Sequence, residues 1–142
     1  MTYRLIYSSA ATEEMARGDL EQMLEESRLR NARRGITGVL VFAEGVFLQV
    51  LEGEQDDVED LMESIRRDPR HQEIKVFHEE ETDRRAFPTW RMAYLSPRAE
   101  EVSAWAGLEG ATTIEGVLAT LRSDPGRVPR VLTGLVEALV TR

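Results

Sequence analysis

Gln49 is the residue of this sequence that most demands a chemical explanation. It is the one uncharged polar side chain in Val46-Phe47-Leu48-Gln49-Val50-Leu51, an otherwise apolar run, and alternation along a strand points it with Phe47 and Leu51. A buried amide left without partners costs about 1–3 kcal/mol, so something must satisfy it. Gln49 either ties down a neighbouring strand or a tyrosine hydroxyl, with Tyr7 the obvious partner, or meets a ligand. Asn31 carries the same ambiguity, because asparagine near a helix C-terminus also serves local backbone needs. Arg28, Arg30, Arg33 and Arg34 crowd the end of one helical stretch, and Arg66, Arg67, Arg70 and His71 the end of another. Cations there complement the negative helix terminus, and a planar guanidinium can also hold the carbonyls or phosphate of a ligand.

Other chemistries are excluded by composition. Without cysteine, disulfides, thiolate zinc sites and cysteine nucleophiles are ruled out together, and a reducing, cytoplasmic setting is expected. His71 and His78 have no cysteine partners and no glycine-rich phosphate loop is present, so neither a metal site nor a small phosphatase is expected. The formal charge of −8 repels phosphate backbones, which argues against nucleic acid as a partner. No run of eighteen apolar residues occurs, so neither a membrane span nor a signal peptide is expected and the chain should stay in solution.

The elements that must position these residues are legible by period. With 142 residues, 42% of them hydrophobic, the chain can close one core. Tyr3-Arg4-Leu5-Ile6-Tyr7-Ser8 predicts a first strand with Tyr3, Leu5 and Tyr7 on one face. Leu20, Met23, Leu24 and Ser27 predict a helix over about 17–34, stopped by Gly35. Strands are predicted over 37–43 and 46–52, joined through Glu44-Gly45 as a hairpin. Val58, Leu61, Met62 and Ile65 predict a second helix ending at Asp68-Pro69. A fourth strand is predicted over 74–80 and a short fifth over 90–94. This order gives an α+β, ferredoxin-like βαββαβ fold with a five-stranded mixed sheet and both helices on one face.

A helical tail follows, with Ser96-Pro97 expected as a helix start and Thr112-x-x-Glu115 as a capping box. Its last helix carries the apolar stripe Val128, Val131, Leu132, Leu135, Val136, Leu139 and Val140, which must bury against the free sheet face or against another chain. Residues 1–95 are expected as the sheet-bearing domain and 96–142 as a C-terminal helical cap. On the residues alone, a cofactor-free dimerisation or adaptor module remains open.

A resemblance settles the preference. Through Tyr7, Asn31, Gly35-Ile36-Thr37-Gly38, Phe47-Leu48-Gln49-Val50-Leu51-Glu52-Gly53, Asp68-Pro69-Arg70-His71 and Trp90-Arg91-Met92, the sequence resembles a BLUF domain, the flavin-binding blue-light sensor family, from Tyr3 to about Tyr94. The resemblance implies a photoreceptor rather than an enzyme. It implies FAD held without a covalent bond, with FMN or riboflavin also suited to a site that grips mainly the ring. By similarity Met23 and Ile65 press on the ring, Asn31 and Arg70 bond its polar edge, Gln49 bridges Tyr7 to the flavin, and Ser27, Arg30 and Asp68 are further contacts. Tyr7 gives an electron and a proton, both returned within one photocycle, and Gln49 keeps the record by reversing its amide. Trp90 and Met92, expected as same-face neighbours on the fifth strand, pass the change to the tail, and thence to a homo-oligomer or a downstream protein.

Overall fold

The structure is a computed structural model that describes residues 1–12, 17–108 and 113–140. Five strands, β1 (Thr2–Ala11), β2 (Thr37–Ala43), β3 (Val46–Gly53), β4 (His71–Thr82) and β5 (Ala93–Leu95), form one sheet in the order β4-β1-β3-β2-β5. The pairs β1–β3, β1–β4 and β2–β3 are antiparallel and β2–β5 is parallel, so the sheet is mixed as expected. The β2–β3 hairpin turns through Glu44 and Gly45, both at positive φ (52° and 75°), the conformation a two-residue loop needs to match strand twist.

Alternation sorts the strand residues into two cores. Tyr3, Leu5, Tyr7, Leu40, Phe47 and Leu51 lie on the face covered by α1 (Arg17–Arg34) and α2 (Gln55–Arg67), packing with Met23, Leu24, Val58, Leu61, Met62 and Ile65. Ile6, Val39, Val41, Leu48 and Val50 lie on the other face, under the tail helices α3 (Ala99–Trp105), α4 (Ile114–Ser123) and α5 (Val128–Val140). The apolar stripe of α5 therefore has its partner within the chain: Val128, Val131, Leu132 and Leu135 are buried against the back of the sheet, while Val140 is exposed.

Three local expectations are corrected. The fifth strand runs over Ala93–Leu95 rather than 90–94, because the backbone of Trp90, Arg91 and Met92 is held by long-range bonds instead of a strand ladder: Gly38 N donates to Trp90 O (2.9 Å), Asn31 Nδ2 to Arg91 O (2.9 Å) and Arg28 Nε to Met92 O (3.0 Å). Gly38 itself sits tight against β3, where a Cβ would meet Val50 O at 1.9 Å. Helix α3 begins at Ala99 after Arg98, and Ser96 is occupied elsewhere, its hydroxyl donating to Phe42 O (2.9 Å). At the start of α4 the cap is Thr113, whose Oγ1 accepts from Gly116 N (3.1 Å); the expected capping residue, Thr112, lies outside the described residues.

Candidate functional site

Tyr7 and Gln49 are Cα partners across β1–β3, and cross-strand pairs on one face lie close enough to bond. The Tyr7 hydroxyl donates to Gln49 Oε1, and at the other end of the same amide Gln49 Nε2 is directed at Met92 Sδ, 3.2 Å away. Tyr7 is fully buried and Gln49 is 6% exposed. Burial pushes the Tyr7 phenol above its ordinary range; Arg30 pulls it down and Asp68 pushes it further up, and burial wins. The phenol is therefore held protonated, with its proton aimed at a carbonyl.

Gln49 opens onto a cleft between α1 and α2, lined also by Met23, Glu26, Ser27, Arg30, Leu40, Ile65, Asp68, Arg70 and His71. Met23 and Ile65 face it from the two helices and provide apolar walls. Arg70 is fixed at its edge: Nε and Nη2 donate to the two carboxylate oxygens of Asp68 (2.9 and 2.7 Å), and the Arg70 backbone N–H adds a third bond (2.9 Å). Burial alone would raise the Asp68 carboxyl, but these bonds from Arg70 outweigh it and hold it below its ordinary range. Arg30 reaches inward with its Nε buried and unpartnered.

Asn31 stands apart from this lining. It is fully buried, with Nδ2 engaged by Arg91 O (2.9 Å) and Oδ1 unpartnered. Trp90 is also elsewhere. It packs edge-on against Phe87 (ring centroids 6.3 Å apart) beside the tail-side core, whereas Met92 is buried in the core on the Tyr7 side. The expectation that Trp90 and Met92 share a face fails for the same reason as the strand assignment, since β-alternation does not govern this irregular segment.

The family profile described as sensors of blue light using FAD matches residues 2–93. The chain belongs to the BLUF family.

Among BLUF-containing proteins, the chain is 40% identical over 101 residues to the photoactivated adenylate cyclase subunit beta of Euglena longa, covering 70% of this chain and 11% of that protein. It is 34% identical over 74 residues to the blue light- and temperature-regulated antirepressor BluF of Escherichia coli (strain K12), covering 52% of this chain and 18% of that protein. The chain thus spans only a small part of either relative. In structure it is similar to BlsA in its photo-activated state (TM-score 0.82, 33% identity, 96% of this chain and 95% of that one) and to the BLUF protein BlrB in its dark state (TM-score 0.78, 31% identity, 96% of each).

The cavity suits the flavin that BLUF domains bind. A flat heteroaromatic ring needs apolar contact on its faces and polar partners at its edge. Met23, Leu40 and Ile65 offer the first. Gln49, Arg30 Nε and Arg70 offer the second, and the orphaned Arg30 Nε is a donor that a buried site ordinarily pairs.

Several participants were not singled out from sequence. His71 was read only as a helix-end cation, yet its ring flanks the cavity, lies 6.4 Å from the Tyr7 ring and 4.8 Å from that of Phe47, and shares a 2.8 Å hydrogen bond between Nδ1 and Ser9 Oγ. Arg28 also read as a helix-end cation but instead grips the Met92 carbonyl. Of the two, only His71 lies within a motif that carries the resemblance.

Proposed function

We propose that this chain is a blue-light photoreceptor that holds FAD without a covalent bond between α1 and α2 and stores the light signal in the orientation of the Gln49 amide. The observation that carries this is the placement of that amide, with the Tyr7 phenol at one end, Met92 Sδ at the other and a cavity alongside. Met23 and Ile65 would sandwich the ring, while Ser27, Arg30, Asp68 and Arg70 would serve its polar periphery; Asn31, outside the lining, would have to be reached past it.

The flavin supplies absorption of blue light and, when excited, a strong oxidant. Tyr7, bonded to the Gln49 amide that lines the cleft, would be the electron donor. Its Oη proton is directed at Gln49 Oε1, so a proton leaving the phenol with an electron passes first to that carbonyl, and both return to Tyr7 within one cycle. Reversing the amide turns an acceptor into a donor without changing its shape. In the observed orientation the NH₂ end faces a thioether, a weak acceptor, so the orientation is held chiefly by the phenol.

A single hydrogen bond contributes about 0.5–1.5 kcal/mol, whereas driving a two-state element from 1:99 to 99:1 takes about 5.5 kcal/mol. The amide must therefore recruit packing. Met92 is the natural first relay: it touches Gln49 on one side of the sheet, and the strand it leads into, β5, contributes Ala93 and Leu95 to the tail-side core. The signal then leaves through α3–α5 to a second copy or a separate protein.

The test is the visible spectrum of the purified chain. A yellow protein whose flavin bands shift to the red under blue light and recover in the dark supports the reading. A colourless protein that free flavin does not reconstitute overturns it and favours an adaptor module.

A further inference from the structure

We propose that Glu52 is a positioning residue whose carboxylate anchors the backbone at Ala86–Phe87 and thereby sets where Met92 meets the Gln49 amide. Glu52 stands on the same strand as Gln49 but points to the opposite face, and it is fully buried. Each of its oxygens holds one of two successive peptide N–H groups: Oε2 accepts from Ala86 N and Oε1 from Phe87 N, both at 2.8 Å. Oε2 also accepts from Arg4 Nε (2.9 Å) and forms an ion pair with Arg4 Nη2 (2.8 Å), and Arg4 is the Cα partner of Glu52 across β1–β3. A buried carboxylate is tolerated only when it is paired and hydrogen-bonded, and this one spends its bonds on a charge partner and on two amides of a segment with no ladder of its own.

That segment, residues 83–92, runs irregularly between β4 and β5. Its other side-chain ties, like the one from Ala86 N to Glu52, are at most part-buried: Arg4 Nη2 to Arg84 O (3.3 Å), Arg85 Nη1 to Gly35 O (2.7 Å), Asn31 Nδ2 to Arg91 O and Arg28 Nε to Met92 O. Among the described residues, the bond from Phe87 N to Glu52 is the buried one. It is also the tie made by the strand that carries Gln49. Strand β3 thus holds the amide and, through the segment it clamps, the sulfur that the amide faces.

The functional half of this inference rests on Gln49 being the switching group; the geometric half does not. The test uses Glu52→Gln, which removes an acceptor, and Glu52→Asp, which keeps the charge beside Arg4 but withdraws it by one methylene from the two amides. In the dark, the ¹³C-methyl resonance of Met92 is expected to move in both variants, and the flavin and its red shift to be retained. The lit-state lifetime is expected to change by about fivefold or more, and the double variant with Met92→Ala to match Met92→Ala alone within about twofold. A purely structural role predicts independent effects that multiply. An unmoved Met92 resonance, or multiplying lifetimes, overturns the proposal. Should both variants fail to fold, amide exchange in the unaltered chain decides: Ala86 and Phe87 are expected to be protected like strand amides, and rapid exchange at both overturns the anchor. Absence of flavin or of a red shift in the unaltered chain would defeat the photoreceptor reading while leaving the Met92 resonance and the exchange rates to judge Glu52.

Discussion

Tyr7 and Gln49 face each other across the β1–β3 pair, and the fully buried phenol donates to the amide carbonyl. This one bond fixes which way the amide points, because the other end meets a sulfur that accepts hydrogen bonds weakly. The amide is thus determined from one side and free to reverse on the other.

Replacing Tyr7 with Phe is expected to leave flavin bound and to abolish the red-shifted state. It also leaves Gln49 Oε1 buried without its donor, at a cost of about 1–3 kcal/mol, which should appear as a lower midpoint in urea unfolding. Gln49→Leu removes the reversible amide and should abolish the shift as well. A red shift that persists in Tyr7→Phe removes the phenol from the mechanism.

Met92 and Trp90 are expected to behave differently despite their proximity in sequence. Met92→Leu deletes the sulfur facing Gln49 and should alter both the position of the flavin bands and the recovery time. Trp90→Phe changes a ring that packs against Phe87 on the far side and should leave the dark spectrum unchanged. Comparison of dark spectra checks this, and a larger effect from Trp90→Phe would reverse the assignment.

How much of this was readable in advance follows the reach of each signal. Alternation in Val46–Leu51 and Tyr3–Tyr7 placed Gln49 and Tyr7 on one face, because a period of two is local and needs no knowledge of neighbours. The hairpin at Glu44-Gly45 was equally local. Met92 and Trp90 were misread as a strand because their positions depend on bonds from Asn31, Gly38 and Arg28, far away in the chain. Arg4 was hidden for a related reason: a charged residue in an alternating strand reads as solvent-facing, yet it is buried with Glu52. Only the resemblance carried that long-range information, and it located residues without explaining what they touch.

Acid should destabilise the chain in two separable stages. Burial lowers the pKa of His71 below its ordinary 6.5; Asp68 opposes this and Arg70 adds to it. The folded state therefore binds fewer protons at His71 than the unfolded chain does, so this contribution to stability is complete above 6.5 and is lost as the pH falls from 6.5 toward the lowered value. Asp68, held below its ordinary 3.8, adds a second loss as the pH falls below that value. Thermal midpoints measured from pH 7.5 to 5 should decline, and His71→Gln should flatten the decline. An equally steep slope in His71→Gln would locate the titration elsewhere.

The docking of the tail offers a way to separate photochemistry from output. Gly134 lies where α5 crosses α3, and a Cβ there would sit 2.3 Å from Trp105 Cγ and 2.8 Å from its Cβ. Those atoms are rooted at the α3 backbone, so the helices must part to admit even a methyl group. Overpacking of this kind costs about 1–3 kcal/mol, against a gain of about 0.8–1.0 kcal/mol in helix propensity for Gly→Ala. Gly134→Ala is therefore expected to lower the unfolding midpoint and to loosen amide protection along α5. The Tyr7–Gln49 pair lies on the opposite face of the sheet, so the red shift should survive. A raised midpoint would show that α3 and α5 are not in the close contact described, and loss of the red shift would show that the tail shapes the flavin site directly.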